Sequence, residues 1–382
     1  MVINQGHSES GMGLKFCLDL SHHAWTRPHV NRTIETMQDA ADLTIRTIEA
    51  ADQAGLESAW VSEDPDGWDA FGVLNAAAQS TSQIRLGTGV TNPYLRHPNL
   101  MSMSAATLDR FSGGRAFLGI GRGQPEWYRD QLGGTGSRSP LGQLETTIRL
   151  LRQWEQPPYR AGARSYVPVR DWARSLHPAQ PRVPIYLAAL GPKSLDLAAR
   201  MADGILIADF ATMPFLERLI PEMRRRVESY GRDPDAFRFY ARTGITVTDQ
   251  PEAALRYRKT LMAVLAPLPG MSQQIVHPEY DVEAIIQNVD DAMRTRETLK
   301  RGGNFIDIRQ RADFNAARDA IPDGLIEEIS FVGTASTVRE KLKRLQTIGI
   351  THVFLAPPSE PDPTVMTETM RELGGGDHCS SV

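Results

Sequence analysis

The segment 87–93 (Gly-Thr-Gly-Val-Thr-Asn-Pro) has residue types that allow the backbone to approach a flat ligand. Glycine weakens a strand because it offers no side chain for packing. Gly87 and Gly89 within an apolar run therefore need a reason, such as a bulge or contact with a planar ring. Asn92 follows the run, and Pro98 suits the first turn of the next helix. We predict a strand that ends against a ring-shaped ligand.

Two other stretches carry groups that could exchange protons or bind a ring. His22 and His23 are adjacent, and neighbouring side chains of a strand point to opposite faces, so no metal site is predicted there. His23 could instead donate a proton within a pocket, or serve only as a loop residue. Glu63 follows another apolar run. Its carboxylate could accept hydrogen bonds from the N–H groups of a ring, or stabilise the positive end of the next helix.

The sequence Gly191-Pro192-Lys193-Ser194 predicts the start of a helix with an anion-binding end. Gly191 can act as the N-cap and Pro192 as the first helical residue. The N–H groups of Lys193 and Ser194 then have no partner within the helix and lie at the positive end of its dipole. Phosphate is the type of ligand that such an end binds.

Short apolar runs alternate with longer amphipathic stretches, a pattern typical of β-α-β units and parallel sheets. Thr334 is a predicted N-cap, and Gly55 and Gly349 stand where helices should end. Strands are predicted at about 14–20, 57–62, 84–90, 115–121, 184–189, 204–208, 237–247 and 351–356. Eight units favour a closed (β/α)8 TIM barrel of the α/β class over an open sheet. The lack of a Gly-rich dinucleotide motif after the first strand agrees with this choice.

The predicted barrel is one domain, spanning residues 13–360. Residues 1–12 are expected to form a flexible tail, and residues 361–382 a short helix followed by a second flexible tail. Two stretches, about 155–182 and about 250–330, are longer than simple connections. We predict insertions there, at or beside the carboxyl face of the strands, where such segments often close over sites or form interfaces.

The composition argues against several classes of function. With 42 basic and 46 acidic residues, the chain lacks the basic excess of a nucleic-acid-binding protein. Cys17 and Cys379 suggest neither a disulfide framework nor a metal motif, so a cytoplasmic location is expected. Residues 1–12 lack the apolar core of a signal peptide, and no run approaches the ~20 apolar residues of a membrane span. We therefore predict no nucleic-acid or membrane partner.

Several of these segments together resemble a known family. The stretch 87–98 closely resembles a loop of coenzyme F420-dependent methylenetetrahydromethanopterin reductases and their relatives in the bacterial-luciferase-like superfamily of flavin and deazaflavin oxidoreductases. The stretches 60–63, 112–123, 188–194 and 331–334 resemble other segments of that family, in the same order. Glu63 departs from the aspartate usual at its position, which keeps the carboxylate but lengthens its reach.

The resemblance implies where a cofactor binds. In the family a non-prolyl cis peptide backs the ring. Here it would be Gly89–Val90, at a cost of about 3–4 kcal/mol. The implied cofactor-binding residues are Glu63, Thr88, Gly89, Val90 and Asn92 at the ring, and Gly121, Arg122, Gly123, Gly191, Lys193 and Ser194 at the phosphate tail. The candidate catalytic proton partners are His23 and Glu63. The candidate walls of the substrate pocket, to which the resemblance does not extend, are Trp25, Trp68, Tyr94 and Trp127 together with the two insertions.

The implied activity is hydride transfer between coenzyme F420 and a small organic substrate, since the cofactor supplies the chemistry and the protein positions it. One alternative is an FMN-dependent two-component monooxygenase, supplied by a separate reductase as partner. Another is a non-catalytic flavin-binding protein. A metal-dependent hydrolase is disfavoured because the first strand lacks a His-x-His motif. Members of the family are commonly oligomers, so a homo-oligomer is expected.

Overall fold

The computed structural model describes residues 13–20, 34–63, 68–123, 139–303, 305–358 and 361–374. The strands are β1 (Lys15–Asp19), β2 (Ser58–Val61), β3 (Arg85–Thr88), β4 (Ala116–Ile120), β5 (Arg160–Ala163), β6 (Val169–Ala173), β7 (Ile185–Ala188), β8 (Gly204–Ile207), β9 (Arg238–Val247), β10 (Val332–Gly333) and β11 (His352–Leu355). None of the helices in these ranges is long and apolar enough to span a membrane.

The helices are α1 (Ile34–Gln53), α2 (Ala70–Ser80), α3 (Pro98–Phe111), α4 (Pro140–Glu155), α5 (Pro192–Met201), α6 (Met213–Ser229), α7 (Glu252–Leu265), α8 (Val282–Met293), α9 (Thr295–Lys300), α10 (Phe305–Arg311), α11 (Phe314–Asp319), α12 (Asp323–Ile329), α13 (Ala335–Ile348) and α14 (Pro363–Glu372). A 3-10 turn covers Met271–Gln274. Local sequence signals predicted several ends correctly. Thr334 caps α13 by accepting the N–H of Thr337, and Gly55 and Gly349 adopt positive φ angles of 81° and 97°.

Eight parallel strands close into a barrel in the described part of the chain. The order around the barrel is β1-β2-β3-β4-β7-β8-β9-β11, and β11 pairs back with β1. This confirms the predicted (β/α)8 barrel, and all eight predicted strands are present. The short strand β10, which pairs with β9, has too few residues to be predicted from periodicity.

Both faces of the strands are buried, which explains their nearly continuous apolar sequences. Outward-facing residues such as Leu18 and Leu118 pack under the helices in the main core. Large aromatic side chains fill the interior, where the ring of Trp60 lies 4.4 Å from that of Phe117 and 4.8 Å from that of Tyr240. Because side chains fill the interior, any ligand of the barrel must bind at its mouth.

Both predicted insertions are present. Residues 155–182 contain the antiparallel hairpin of β5 and β6. This hairpin follows a helix rather than a strand, so it leaves the barrel from the face where helices end. It then runs back along α4, with Val169 packed against the cluster of Leu150, Trp154 and Ala161. At its tip, Tyr166 fills the space beside Gly142 in the first turn of α4, where an added Cβ would lie 2.6 Å from Tyr166 Cζ.

The second insertion, α7 to α12, lies between β9 and β10, at the predicted carboxyl face of the strands. It has a separate apolar core, which includes Met262, Ile286, Met293 and Leu325. This core lets the insertion form a compact helical cap beside the mouth of the barrel.

The amino ends of the strands hold a polar cluster inside the barrel. Arg85 Nη1 lies 3.3 Å from Glu57 Oε1 and donates to the hydroxyl of Tyr186 at 3.2 Å. His352 stacks on Tyr240 with ring centroids 4.0 Å apart, and its Nε2 lies 3.9 Å from Glu57 Oε1. Burial lowers the pKa of His352 to about 4. The imidazole is therefore neutral in the folded protein at neutral pH.

We expect the protein to lose stability as the pH falls from about 6.5 to about 4. In this window the unfolded chain binds a proton at His352, whereas the folded chain does not. With a folded pKa of about 4 against an ordinary value of 6.5, the free energy of unfolding should fall by about 3 kcal/mol. Urea denaturation at neutral and acidic pH measures this fall, and His352→Gln should remove most of it. An equal fall in both proteins would contradict the role given to His352.

Candidate active site

The carboxyl ends of four neighbouring strands bring most of the predicted site residues together. β2, β3, β4 and β7 are adjacent in that order. Glu63 follows β2, Thr88 ends β3 and residues 89–96 follow it, residues 121–123 follow β4, and residues 189–194 follow β7. The predicted ring seat and phosphate end thus lie along one half of the mouth. Trp68 and Tyr94 are half-buried in the loops after β2 and β3, whereas His23, Trp25 and Trp127 lie outside the described residues.

Glu63 is buried, and its carboxylate is bonded within the protein. Arg96 Nε lies 2.8 Å from Oε1 and 3.0 Å from Oε2, and Arg96 Nη2 lies 2.6 Å from Oε1. The Thr91 hydroxyl donates to Oε2. The backbone N–H of Glu63 also donates to the carbonyl of Val90 at 3.2 Å. Glu63 therefore joins the end of β2 to the loop after β3, an arrangement suited to holding that loop rather than carrying a proton.

Arg96 links Glu63 to the next helix. Arg96 Nη2 lies 2.5 Å from Asp69 Oδ1. Asp69 is the N-cap of α2, where it accepts the N–H groups of Phe71 and Gly72. The guanidinium also lies over the ring of Phe71, 4.8 Å from its centroid. Asp69, and not Glu63, is thus the carboxylate at the positive end of α2. The sequence had suggested this role as an alternative for Glu63.

Thr88 and Asn92, both predicted to touch the cofactor, are buried and use their side chains within the protein. The Thr88 hydroxyl donates to the carbonyl of Gly119 at 2.6 Å. Asn92 Oδ1 accepts the backbone N–H groups of Tyr94 and Leu95 at 3.0 and 3.1 Å. This is the local turn that asparagine side chains favour. Both residues shape the mouth of the barrel through the backbone that they hold.

The prediction of a cis peptide between Gly89 and Val90 is wrong, because this bond is trans. The loop continues the hydrogen bonding of β3 with both neighbouring strands. Gly89 N–H donates to the carbonyl of Val61 at 2.6 Å, and Thr91 N–H donates to that of Gly119 at 3.0 Å. A backbone with only trans peptide bonds makes both of these hydrogen bonds, so the geometry requires no strained peptide.

The two glycines of β3 make room for side chains of the barrel interior. A Cβ added to Gly87 would lie 2.3 Å from Cε2 of Phe117. A Cβ added to Gly89 would lie 3.2 Å from Nη2 of Arg242 and 3.2 Å from Cβ of Trp60. The close approach inferred from these glycines exists, but its partners in the structure are protein side chains.

Helix α5 begins as predicted, with Gly191 as N-cap and Pro192 in the first turn. No side chain of the described residues caps this end. The Ser194 hydroxyl turns back to the carbonyl of Gly191 at 2.8 Å, and Lys193 is exposed beside it. Free backbone N–H groups at a positive helix end, with a neighbouring ammonium group, fit a phosphate ligand.

Residues 121–123 lie between the ring seat and α5. Gly121 packs between two neighbouring strand ends, since an added Cβ would lie 3.0 Å from Val90 Cγ2 and 3.3 Å from Ala188 Cβ. Arg122 is exposed, and its Nη2 lies 3.4 Å from the carbonyl of Pro269. Pro269 belongs to the second insertion, which therefore reaches the loop after β4.

A buried ion pair that sequence analysis missed fastens the second insertion to the barrel. Arg258 Nη1 of α7 lies 2.8 Å from Oδ1 of Asp209, which follows β8. Gln274 donates to the carbonyl of Asp209 at 2.6 Å. The segment 266–274 is thus held at the mouth at two places, by Arg122 and by Asp209. No local pattern joins positions 209 and 258, so the sequence offers no signal for this pair.

A second charged pair, also missed, lies inside the barrel near the mouth. Arg242 Nη1 is 3.5 Å from Asp19 Oδ2, and the two side chains are 11% and 14% exposed. Arg242 Nη2 also donates to the carbonyl of Gly89. Arg242 and Asp19 lie two residues beyond Tyr240 and Cys17 on β9 and β1. Because strand residues alternate, the pair forms the next interior layer toward the mouth.

A closed parallel barrel whose polar groups gather at the carboxyl ends of its strands has the architecture of a TIM-barrel enzyme. The family model described as luciferase-like monooxygenase matches residues 21–352, so the chain belongs to that family. This confirms the predicted relationship to luciferase-like flavin and deazaflavin oxidoreductases.

The 5,10-methylenetetrahydromethanopterin reductase of Methanopyrus kandleri is 27% identical over 330 residues, covering 82% of this chain and 88% of the reductase. The F420-dependent glucose-6-phosphate dehydrogenase of Kineococcus radiotolerans is 32% identical over 194 residues, covering 48% of this chain and 57% of the dehydrogenase. Among solved structures, an F420-dependent secondary alcohol dehydrogenase in complex with an F420-acetone adduct has a TM-score of 0.68 at 18% identity, covering 96% of this chain and 100% of the other. The structural match shows a shared fold.

Proposed function

We propose that this enzyme is an F420-dependent oxidoreductase that transfers a hydride between the deazaflavin and a small organic substrate. The observation that carries the proposal is the order of the strand ends. One strand, β4, separates the predicted ring seat after β3 from the predicted phosphate-binding start of α5 after β7. Two strand spacings are about 10 Å, so one elongated cofactor can reach both. The match to the F420-dependent glucose-6-phosphate dehydrogenase, 32% identical over 194 residues, favours F420 over FMN.

The chain's own residues would bind and orient the cofactor, while a bound deazaflavin supplies the hydride chemistry. The cluster of Thr91, Glu63 and Arg96 holds the loop after β3 in one conformation before binding. Preorganisation of this kind lowers the entropic cost of association. In this proposal Glu63 positions the ring seat, and His23 is the candidate proton partner.

The phosphate tail would bind at the start of α5. The backbone N–H groups of Lys193 and Ser194 would donate to it, and the Lys193 ammonium would add a positive charge. Arg122, one strand end away, offers a second cation, which lies beside the segment 266–274 of the insertion. The substrate would then enter between this segment and the half-buried Trp68 and Tyr94.

Mixing the purified protein separately with reduced F420 and with reduced FMN tests the proposal, with absorbance and oxygen consumption as readouts. We expect binding of F420 without oxygen consumption, since deazaflavins do not form the oxygen adduct that monooxygenases use. Oxygen consumption with FMN alone would support the monooxygenase alternative, which also needs a separate reductase as partner. Binding of either cofactor without turnover of any substrate would support a non-catalytic carrier.

We also propose that the enzyme forms homo-oligomers through the outer face of α3. Leu100, Met103 and Phe111 are 44%, 44% and 60% exposed. Their spacing places them on one side of the helix. A stripe of like residues is complementary to a second copy of itself across a two-fold axis, which is the commonest symmetry of soluble oligomers.

Phe111→Ser should shift the protein toward the 42.3 kDa monomer in light scattering after gel filtration. Removal of a large aromatic residue from an interface often weakens association about tenfold or more. Tyr257→Ser is the matched control, because Tyr257 is 49% exposed but lies on the insertion helix α7. An unchanged mass for Phe111→Ser, or an equal shift in the control, would argue against this interface.

A further inference from the structure

The charged pair of Arg242 and Asp19 has no part in the function proposed above, yet it lies directly behind the ring seat. The carbonyl of Gly89 accepts two hydrogen bonds, from the Ser62 hydroxyl at 2.8 Å and from Arg242 Nη2. β9, which carries Arg242, lies four strands from β3 in the barrel of eight. The Arg242 side chain therefore reaches across the interior to the loop at which the ring is proposed to bind.

The surroundings of the pair make its position unusual. Val90 and Ala188 pack on the aromatic cluster of the interior, so the pair lies next to a largely apolar region of the barrel. Removing two charges from water is costly, and apolar residues of similar size often stabilise a protein as well or better. Packing alone therefore does not account for an arginine at this place. The bond to the Gly89 carbonyl, on the other hand, needs a long side chain that ends in a hydrogen-bond donor.

We propose that Arg242 is a positioning residue of the cofactor site, which holds the Gly89 carbonyl toward the barrel interior and so fixes the peptide plane that faces the ring. The C=O and N–H groups of a trans peptide point in opposite directions, so fixing the Gly89 carbonyl also fixes the direction of the Val90 N–H. Asp19 holds the guanidinium in place from β1. The inference deepens the proposed function and rests on it for the identity of the ring.

Cofactor affinity is the first measurement. Arg242→Gln is too short to keep the bond to Gly89 and should weaken F420 binding about tenfold or more, as expected for loss of a charged hydrogen bond. Arg242→Lys keeps a cationic donor and should recover part of the affinity. Arg85→Gln is the matched control, because Arg85 pairs with Glu57 at the other end of the same barrel interior. This control should lower the melting temperature without changing the affinity for F420.

The peptide itself can be observed without activity. The sequence contains two Gly–Val bonds, Gly72–Val73 and Gly89–Val90. Protein labelled with 13C at glycine carbonyls and 15N at valine therefore gives two carbonyl–amide correlations, and the Gly72–Val73 signal from α2 serves as an internal reference. Arg242→Gln should move the Gly89–Val90 signal and leave the reference in place. Adding F420 to the wild-type protein should move the same signal.

The possible failures are distinguishable. If the Gly89–Val90 signal stays in place in Arg242→Gln, or if Arg85→Gln loses as much affinity as Arg242→Gln, the positioning role is overturned. If the wild-type protein binds no F420, the proposed function is overturned. The shift of the signal in the cofactor-free variant still reports on the bond between Arg242 and Gly89 in that case.

Discussion

Arg96→Gln should lower the free energy of unfolding by about 3 kcal/mol, because it would leave the Glu63 carboxylate buried without a positive partner. The side chains of Arg96 and Glu63 are 12% and 6% exposed, so water cannot replace the lost partner. Loss of the pair should also loosen the loop after β3 and weaken F420 binding. Urea denaturation measures the first effect, and a fluorescence titration of F420 measures the second.

Two further variants separate this explanation from a simple loss of contacts. The double variant Glu63→Gln with Arg96→Gln contains no unpaired buried charge, so it should recover much of the lost stability. Asp69→Asn removes the other partner of Arg96 but keeps an N-cap residue for α2. Because Asp69 is 61% exposed, we expect its substitution to lower the free energy of unfolding by less than about 1 kcal/mol. If the double variant were as unstable as Arg96→Gln, burial of an unpaired Glu63 would not be the cause.

Arg258→Met should lower the free energy of unfolding by about 3 kcal/mol, because it would leave Asp209 buried without its partner. The Arg258 and Asp209 side chains are 5% and 8% exposed. Because this pair fastens the second insertion to the barrel, the segment 266–274 should also exchange its amide hydrogens faster. Hydrogen exchange read by mass spectrometry checks both the segment and the helices around it.

Lys259→Gln is the matched control for this prediction. Lys259 is the next residue of α7 and pairs with Asp323 at 2.6 Å, but Asp323 is 85% exposed. A surface pair of this kind contributes little to stability. We therefore expect the free energy of unfolding to change by less than about 1 kcal/mol, and amide hydrogen exchange in residues 266–274 to stay unchanged. Equal effects of the two substitutions would mean that the buried pair does not hold the insertion.

The barrel could be predicted from the sequence because its signals are local. Strands buried on both faces appear as short apolar runs, and the helices between them begin and end at residues with clear conformational preferences, such as Thr334 and Gly349. The order of the runs then places Glu63, Gly89, Gly121 and Gly191 on loops at one face.

The contents of the site could be predicted only in part, because they depend on long-range pairs. Gly87 and Gly89 indicate a close approach but do not reveal that Phe117 and Arg242 are the residues that approach. Glu63 was placed at the mouth correctly, yet its bond to Arg96 depends on how two loops fold together. The trans bond at Gly89 likewise follows from the neighbouring strands, and a family pattern alone suggested the opposite.

The central claim is that this enzyme binds F420. An equilibrium titration with oxidised F420, followed by the fluorescence of the cofactor, tests it most directly when an FMN titration is run under the same conditions. We predict one saturable F420 site per chain and binding of FMN that is weaker by about tenfold or more, a difference of at least about 1.4 kcal/mol. Tighter binding of FMN, or the absence of saturable F420 binding, would contradict the assignment of this enzyme to the F420-dependent members of its family.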